Sequence, residues 1–147
     1  MSAFFAAFLA CSASSPDSGV TDTTPAETTL PQGDWASVSA TSTSTCGLRL
    51  DSSIACWGSD DFGQASPPEG TFLQIAAGLR TSCGVRSDST LACWGDDHMG
   101  LPPEGNFAAV SVAALHACAL HEDGTLACWG EGEDGQTAPP TGRFLSV

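Results

Sequence analysis

Leu126-Ala127-Cys128-Trp129-Gly130 is the stretch that decides the architecture. The same five residues stand at Leu91–Gly95, and Ile54-Ala55-Cys56-Trp57-Gly58 differs only in its first. Trp57, Trp94 and Trp129 are 37 and then 35 residues apart. A pentapeptide containing two scarce residue types that returns at a near-constant interval marks an internal repeat, so the question becomes what one unit of that period builds.

Each pentapeptide cysteine has a second cysteine upstream with nine residues between them: Cys46/Cys56, Cys83/Cys93 and Cys118/Cys128. In the third unit the intervening residues read as a hairpin, Cys118–His121 and Thr125–Trp129 about the tip Glu122-Asp123-Gly124. An acidic residue followed by glycine suits a three-residue loop whose last position is left-handed. Counting outward from that tip sets Cys118 opposite Cys128, at a Cβ separation a disulfide can bridge. The other two hairpins set Cys46 opposite Cys56 and Cys83 opposite Cys93, with Ser52 and Ser89 in place of the tip glycine. Three hairpin disulfides are the expectation. Structural zinc is the rival use of paired cysteines, but it favours two to four intervening residues.

Upstream of each hairpin an aromatic is followed three residues later by a β-branched residue: Trp35/Val38, Phe72/Ile75 and Phe107/Val110, with Phe144/Val147 opening a fourth set. In a regular extended strand that offset places the two on opposite faces, which predicts a strand covered on both sides. Downstream of each pentapeptide runs a turn-rich connector, Ser59–Glu69, Asp96–Glu104 and Glu131–Thr141, carrying Pro67-Pro68, Pro102-Pro103 and Pro139-Pro140. The middle connector is two residues shorter and has Leu101 where the others have Gln64 and Gln136. The units therefore span 33–69, 70–104 and 105–141, with a partial fourth at 142–147, and the fold class is all-β.

The first 33 residues have a different character. Ala3–Ala10 is a short apolar run, well under the roughly 20 residues a membrane-spanning helix requires, and it ends at the unpaired Cys11. It resembles a bacterial lipoprotein export signal, in which the cysteine becomes the lipid-modified N-terminus. The expectation is an export signal over 1–11 with Cys11 as the lipidation site. Residues 12–33 are rich in Ser, Thr, Pro and acids and read as a disordered tether. Paired cysteines point independently to an oxidising compartment, and hence to the cell envelope or the exterior.

Charge excludes one class of partner. The chain has four Lys plus Arg against seventeen Asp plus Glu, a formal net charge of −13. Binding to a phosphate backbone depends on clustered cations that displace counterions, so nucleic acid is not an expected partner. A membrane enters only through the anchor.

The string His116–Leu120, Asp123–Gly130 and Gly135-Gln136 resembles the repeats of the regulator of chromosome condensation family in its short bacterial, secreted form. The resemblance covers about Asp34–Val147. It implies a β-propeller with one unit per blade, commonly seven to the ring, so that three units and the start of a fourth are an incomplete ring. The missing blades would come from a longer chain, which is the favoured reading, or from self-assembly of copies.

No constellation of catalytic residues appears. His98, His116 and His121 have no partner at metal-ligand spacing, and nucleophile or phosphate-loop motifs are missing. The acidic pairs Asp60/Asp61, Asp96/Asp97 and Glu133/Asp134 are oxygen donors of the kind calcium takes, but their spacing matches no calcium loop, so solvated turn charges are the expectation. The chain is thus expected to be non-enzymatic and to need no cofactor or metal. Its expected role is an extracytoplasmic module that binds an as yet unidentified protein. Two alternatives follow from the resemblance: nucleotide exchange with chromatin association, as in the eukaryotic namesake, or inhibition of a secreted enzyme, as in a propeller-type β-lactamase inhibitor.

Overall fold

The computed structural model describes residues 31–147. Among them there are nine strands and no helix. β1 (Trp35–Ala40), β2 (Ser44–Arg49) and β3 (Ile54–Gly58) form the first sheet; β4 (Phe72–Ala77), β5 (Thr81–Arg86) and β6 (Leu91–Gly95) the second; β7 (Phe107–Val112), β8 (His116–His121) and β9 (Leu126–Gly130) the third. Each sheet is an antiparallel meander in chain order, one blade per repeat.

The hairpin registers place Cys46 opposite Cys56, Cys83 opposite Cys93 and Cys118 opposite Cys128, and all three pairs are disulfide-bonded. At the tips, Ser52 and Ser89 adopt φ of 69° and 67°, where Gly124 has 88°. Left-handed backbone costs an L-residue about 1–2 kcal/mol, and each tip offsets part of this with an aspartate cap. Asp51 accepts the Ser53 N–H and hydroxyl at 3.0 and 2.7 Å, and Asp88 and Asp123 do the same for Thr90 and Thr125.

The opening strands depart from the regular alternation. A register shift lies between Phe72 and Gln74, and the same shift recurs between Trp35 and Ser37 and between Phe107 and Ala109. Each is a β-bulge, in which one extra residue is accommodated and the parity of everything beyond it changes. Phe72 pairs with Arg86 and Ile75 with Gly84, so aromatic and β-branched residue share a face. The opposite-face expectation is overturned by this one inserted residue. In the second blade it is Leu73, which the bulge turns out to solvent.

Every blade thereby acquires two different faces. One carries the aromatic, the β-branched residue and the pentapeptide tryptophan; the other carries the disulfide and the apolar residues two positions from it. The core forms where the disulfide face of one blade meets the aromatic face of the next. Cys46 and Leu48 pack with Phe72, Ile75 and Trp94, and Cys83 and Val85 pack with Phe107, Val110 and Ala119. Gly47 and Gly84 make room for the aromatic of their own blade, since a Cβ there would come within 2.5 Å of Trp35 and 2.7 Å of Phe72.

Polar groups lock the inner strands across these junctions. Ser39 Oγ accepts the Ala77 N–H at 2.9 Å, and the Gln74 amide bonds the Val110 N–H and carbonyl at 2.9 and 3.0 Å. The opening aromatic of each following unit donates its N–H to the preceding hairpin tip: Phe72 to Ser52, Phe107 to Ser89 and Phe144 to Gly124, each at 2.8 Å. The partial fourth unit therefore docks at its start, but 142–147 is not a strand as expected. In the other units the opening strand draws its ladder from the middle strand of the same unit, and 142–147 has no strand partner among the described residues.

Candidate protein-binding surfaces

The strands deliver the chain's polar groups to two opposite rims. At the first, each connector starts beside the turn between the opening and middle strands, with Ser59, Asp96 and Glu131 donating to the carbonyls of Thr43, Arg80 and Leu115. This rim is acidic, with Asp60, Asp61, Asp96, Asp97, Glu131, Glu133 and Asp134 along it. Its cation is Arg80, which lies 3.8 Å from Asp96 and 4.4 Å above the Phe62 ring. His98 lies 3.5 Å from the same Asp96 oxygen and touches the Ala114 carbonyl at 3.2 Å.

The second rim holds the hairpin tips and the other three arginines, Arg49, Arg86 and Arg143. Arg49 and Arg86 each lie 5.1 Å over the opening aromatic of their own unit, and His121 stacks on Phe107 at 4.2 Å in the equivalent place. The tip carboxylates are held below the ordinary value of 3.8: Asp51 mainly by the Ser53 hydroxyl, Asp88 by the Thr90 hydroxyl and Asp123 by the Thr125 N–H. A lowered folded value means that these caps stabilise the fold fully above that ordinary value and lose the contribution as pH falls through the lower folded one. Accordingly, Tm should drop more steeply as pH is taken below 3.8 for the parent chain than for D51N/D88N/D123N, whose side chains do not titrate. Parallel acid limbs in thermal melts would contradict this.

The connectors are more than spacers. The buried Gln64 lends its backbone carbonyl to the Trp94 indole N–H at 3.0 Å and to the Ser82 hydroxyl at 3.3 Å, while its side chain accepts the Phe62 N–H at 2.9 Å. The short second connector cannot do this. Leu101, in the position of Gln64, is 92% exposed, Met99 is buried instead, and Trp129 Nε1 is enclosed without a hydrogen-bond partner. An unmet buried donor costs about 1–3 kcal/mol. Replacing Leu101 by Gln-Ala-Ser, the sequence of the first connector, should therefore raise the stability measured in urea by about 1 kcal/mol or more.

The candidate residues from the sequence are distributed as follows. The six paired cysteines meet in the three hairpins. His98, His116 and His121 lie in three separate places, and among the described residues no three of His, Cys, Asp and Glu are grouped to hold a metal ion. Asp60 and Asp61 are engaged locally, by the Ala65 N–H and Ser66 hydroxyl and by the Ser59 hydroxyl. Cys11 and nearly all of the 12–33 tether lie outside the described residues. The two-faced blade and the Gln64 carbonyl were not foreseen from the sequence. The recurrence of Gly-Gln after the pentapeptide was the available signal for the second.

Among the described residues, two blade faces have no other blade packed against them. At one end Trp35 and Trp57, ring centroids 5.8 Å apart, border a shallow concavity of about 670 Å³ with Val38. At the other, Cys118 is half-buried where Cys46 and Cys83 are fully enclosed; their partners Cys56, Cys93 and Cys128 are half-buried in all three hairpins.

Residues 72–100 and 107–136 match the model of the regulator of chromosome condensation repeat. Among solved structures, the chain is similar to the CRINKLY WD40 ectodomain of the receptor kinase ACR4 from Arabidopsis thaliana, at 33% identity and TM-score 0.64 over 75% of this chain and 42% of that one. The ectodomain of the receptor kinase CR4 from Physcomitrella patens matches at 27% identity and TM-score 0.61, over 68% and 30%. Prp20p from Saccharomyces cerevisiae shares the fold at 17% identity and TM-score 0.60, over 75% and 36%. The chain thus spans less than half the length of each. No curated protein matches it.

Proposed function

We propose that this chain, which carries regulator of chromosome condensation repeats on a β-propeller framework, is a non-enzymatic protein-binding module that works outside the cytoplasm. The observation that carries the reading is how the repeated residues are used. The paired cysteines close the three hairpins, and the aromatics and β-branched residues of the second and third blades are buried in the two junctions. What is left to the solvent, unit after unit, is the two rims, of which the connector rim carries seven acids against Arg80. A predominantly acidic rim steers a basic partner and raises its rate of encounter, without any chemistry at the surface.

Three disulfides support an oxidising compartment, and two of the similar structures are receptor-kinase ectodomains. Prp20p binds Gsp1p and histones, an instance of this fold used for protein contact. Lipid attachment at Cys11, with 12–33 as the tether, would hold the rim away from a membrane. The test is cross-linking capture from the cell envelope with the oxidised protein, at low salt and at high salt. A basic protein captured at low salt, and lost both at high salt and from the rim variant E131K/E133K/D134K, supports the reading. Capture that is indifferent to both changes would overturn the steering role.

A further inference from the structure

Four large apolar side chains stand out of the acidic connector rim, each at least 40% exposed: Phe62, Leu79, Leu101 and Leu115. None belongs to either junction core, so core packing does not account for them. Leu79 and Leu115 come from the turns between opening and middle strands of the second and third blades, where the first blade has Ser42-Thr43. Phe62 and Leu101 come from the first two connectors, which lean across to the next blade. Phe62 lies 4.4 Å under Arg80, the neighbour of Leu79, and His98 of the second connector touches the carbonyl of Ala114, the neighbour of Leu115. Both junctions between described blades thus bring a connector with an exposed apolar side chain against a leucine-bearing turn.

Carboxylates surround these side chains. Asp60 and Asp61 directly precede Phe62, Asp96 and Asp97 open the connector of Leu101, and Glu131 donates its N–H to the Leu115 carbonyl. Exposed apolar groups rimmed by charge have the composition of a protein-binding patch. The sign of the charge decides what covers it. An anionic membrane surface is repelled by the rim acids. A second copy brings the same formal −13, and the chain's own residues 1–33 hold Asp17, Asp22 and Glu27 with no Lys or Arg.

We propose that the connector rim takes a partner segment in which Lys or Arg alternates with aliphatic or aromatic side chains, the cations facing the connector carboxylates and the apolar side chains covering the four exposed ones. This rests on the reading of that rim as the partner surface. It adds a division of labour: charge brings the partner in, and apolar burial holds it there.

The experiment is fluorescence anisotropy on the full, oxidised chain with three labelled peptides of equal length: Lys alternating with Leu, Lys alternating with Ser, and Glu alternating with Leu. The Lys/Leu peptide should bind about tenfold tighter than Lys/Ser or better. It should also stay bound at about 0.3 M salt, where Lys/Ser binding is lost to screening. The Glu/Leu peptide should not bind. L79S/L101S/L115S should melt like the parent, bring the Lys/Leu affinity down to that of Lys/Ser and leave Lys/Ser unchanged. Leu101→Ser alone, at a side chain 92% exposed with no packing to lose, should weaken Lys/Leu binding in the same direction, and Leu50→Ser on the opposite rim should change neither. Equal affinity for the two basic peptides, or Lys/Leu binding that is indifferent to the leucine variants, would overturn this proposal and leave the acidic rim as a steering surface. If neither basic peptide binds, both readings fall.

Discussion

Converting Cys83 and Cys93 together to serine is expected to cost the fold about 3 kcal/mol, and reducing all three disulfides to unfold it. Each bond closes a loop with a sequence separation of 10, for which chain-entropy reasoning gives roughly 2.7 kcal/mol apiece. Three together come to ~8 kcal/mol, within the ~5–15 kcal/mol that holds a typical domain together. The bonds do not have equal access to reductant. Cys46 and Cys83 are fully buried in the two junctions, whereas the Cys118–Cys128 pair lies on the open face. Graded reduction followed by alkylation should label Cys118 and Cys128 first, with the fold retained, and the other four together with unfolding. Simultaneous labelling of all six, or a fully reduced chain that keeps its cooperative melt, would contradict this.

The second large effect concerns the aromatic faces. Phe72→Ala should destabilise by about 3–5 kcal/mol, the usual cost of emptying a fully buried aromatic site. Phe72 is 1% exposed, meets Trp94 edge-on at 6.2 Å and lies under Arg86. Trp35→Ala removes the corresponding aromatic from the open end, where its ring is only partly covered, and should cost about a third as much in a protomer, because little transfer from water is reversed. Urea titration of both variants with the disulfides intact reads the difference. Equal losses would mean that the two faces are equally covered, contrary to the stacking described above.

How far the sequence carries one towards this structure depends on whether a feature is periodic. The pentapeptide and the cysteine spacing are periodic, and from them come three hairpins, their register and the all-β class. The bulge is not visible in the same way. Counting alternation through Phe72-Leu73-Gln74-Ile75 assumes a regular pleat, and one inserted residue reverses the answer for every side chain beyond it. The expected strand at 142–147 fails for a different reason, since a strand is defined by its neighbour and not by its own residues. Junction chemistry was hidden too: Gln64 reaches Trp94 through its backbone carbonyl and Gln74 acts through contacts 36 positions away, at Val110.

The surfaces that bind partners are the least legible part, because they are what remains after the periodic residues are used. An acidic connector reads in sequence as an ordinary solvated loop. Only the stacking of blades sets three such loops on one rim and gathers three of the four arginines on the other. The short second connector shows the cost of variation there, an unpartnered indole at Trp129 beside an exposed Leu101.

The most direct single measurement is peptide mapping of the protein recovered from its own cells, with free thiols trapped at lysis and no reductant added. A stapled propeller segment working outside the cytoplasm gives three linked peptides, joining Cys46 to Cys56, Cys83 to Cys93 and Cys118 to Cys128. Six trapped thiols, or links between different hairpins, would contradict both the blade stapling and the compartment it implies.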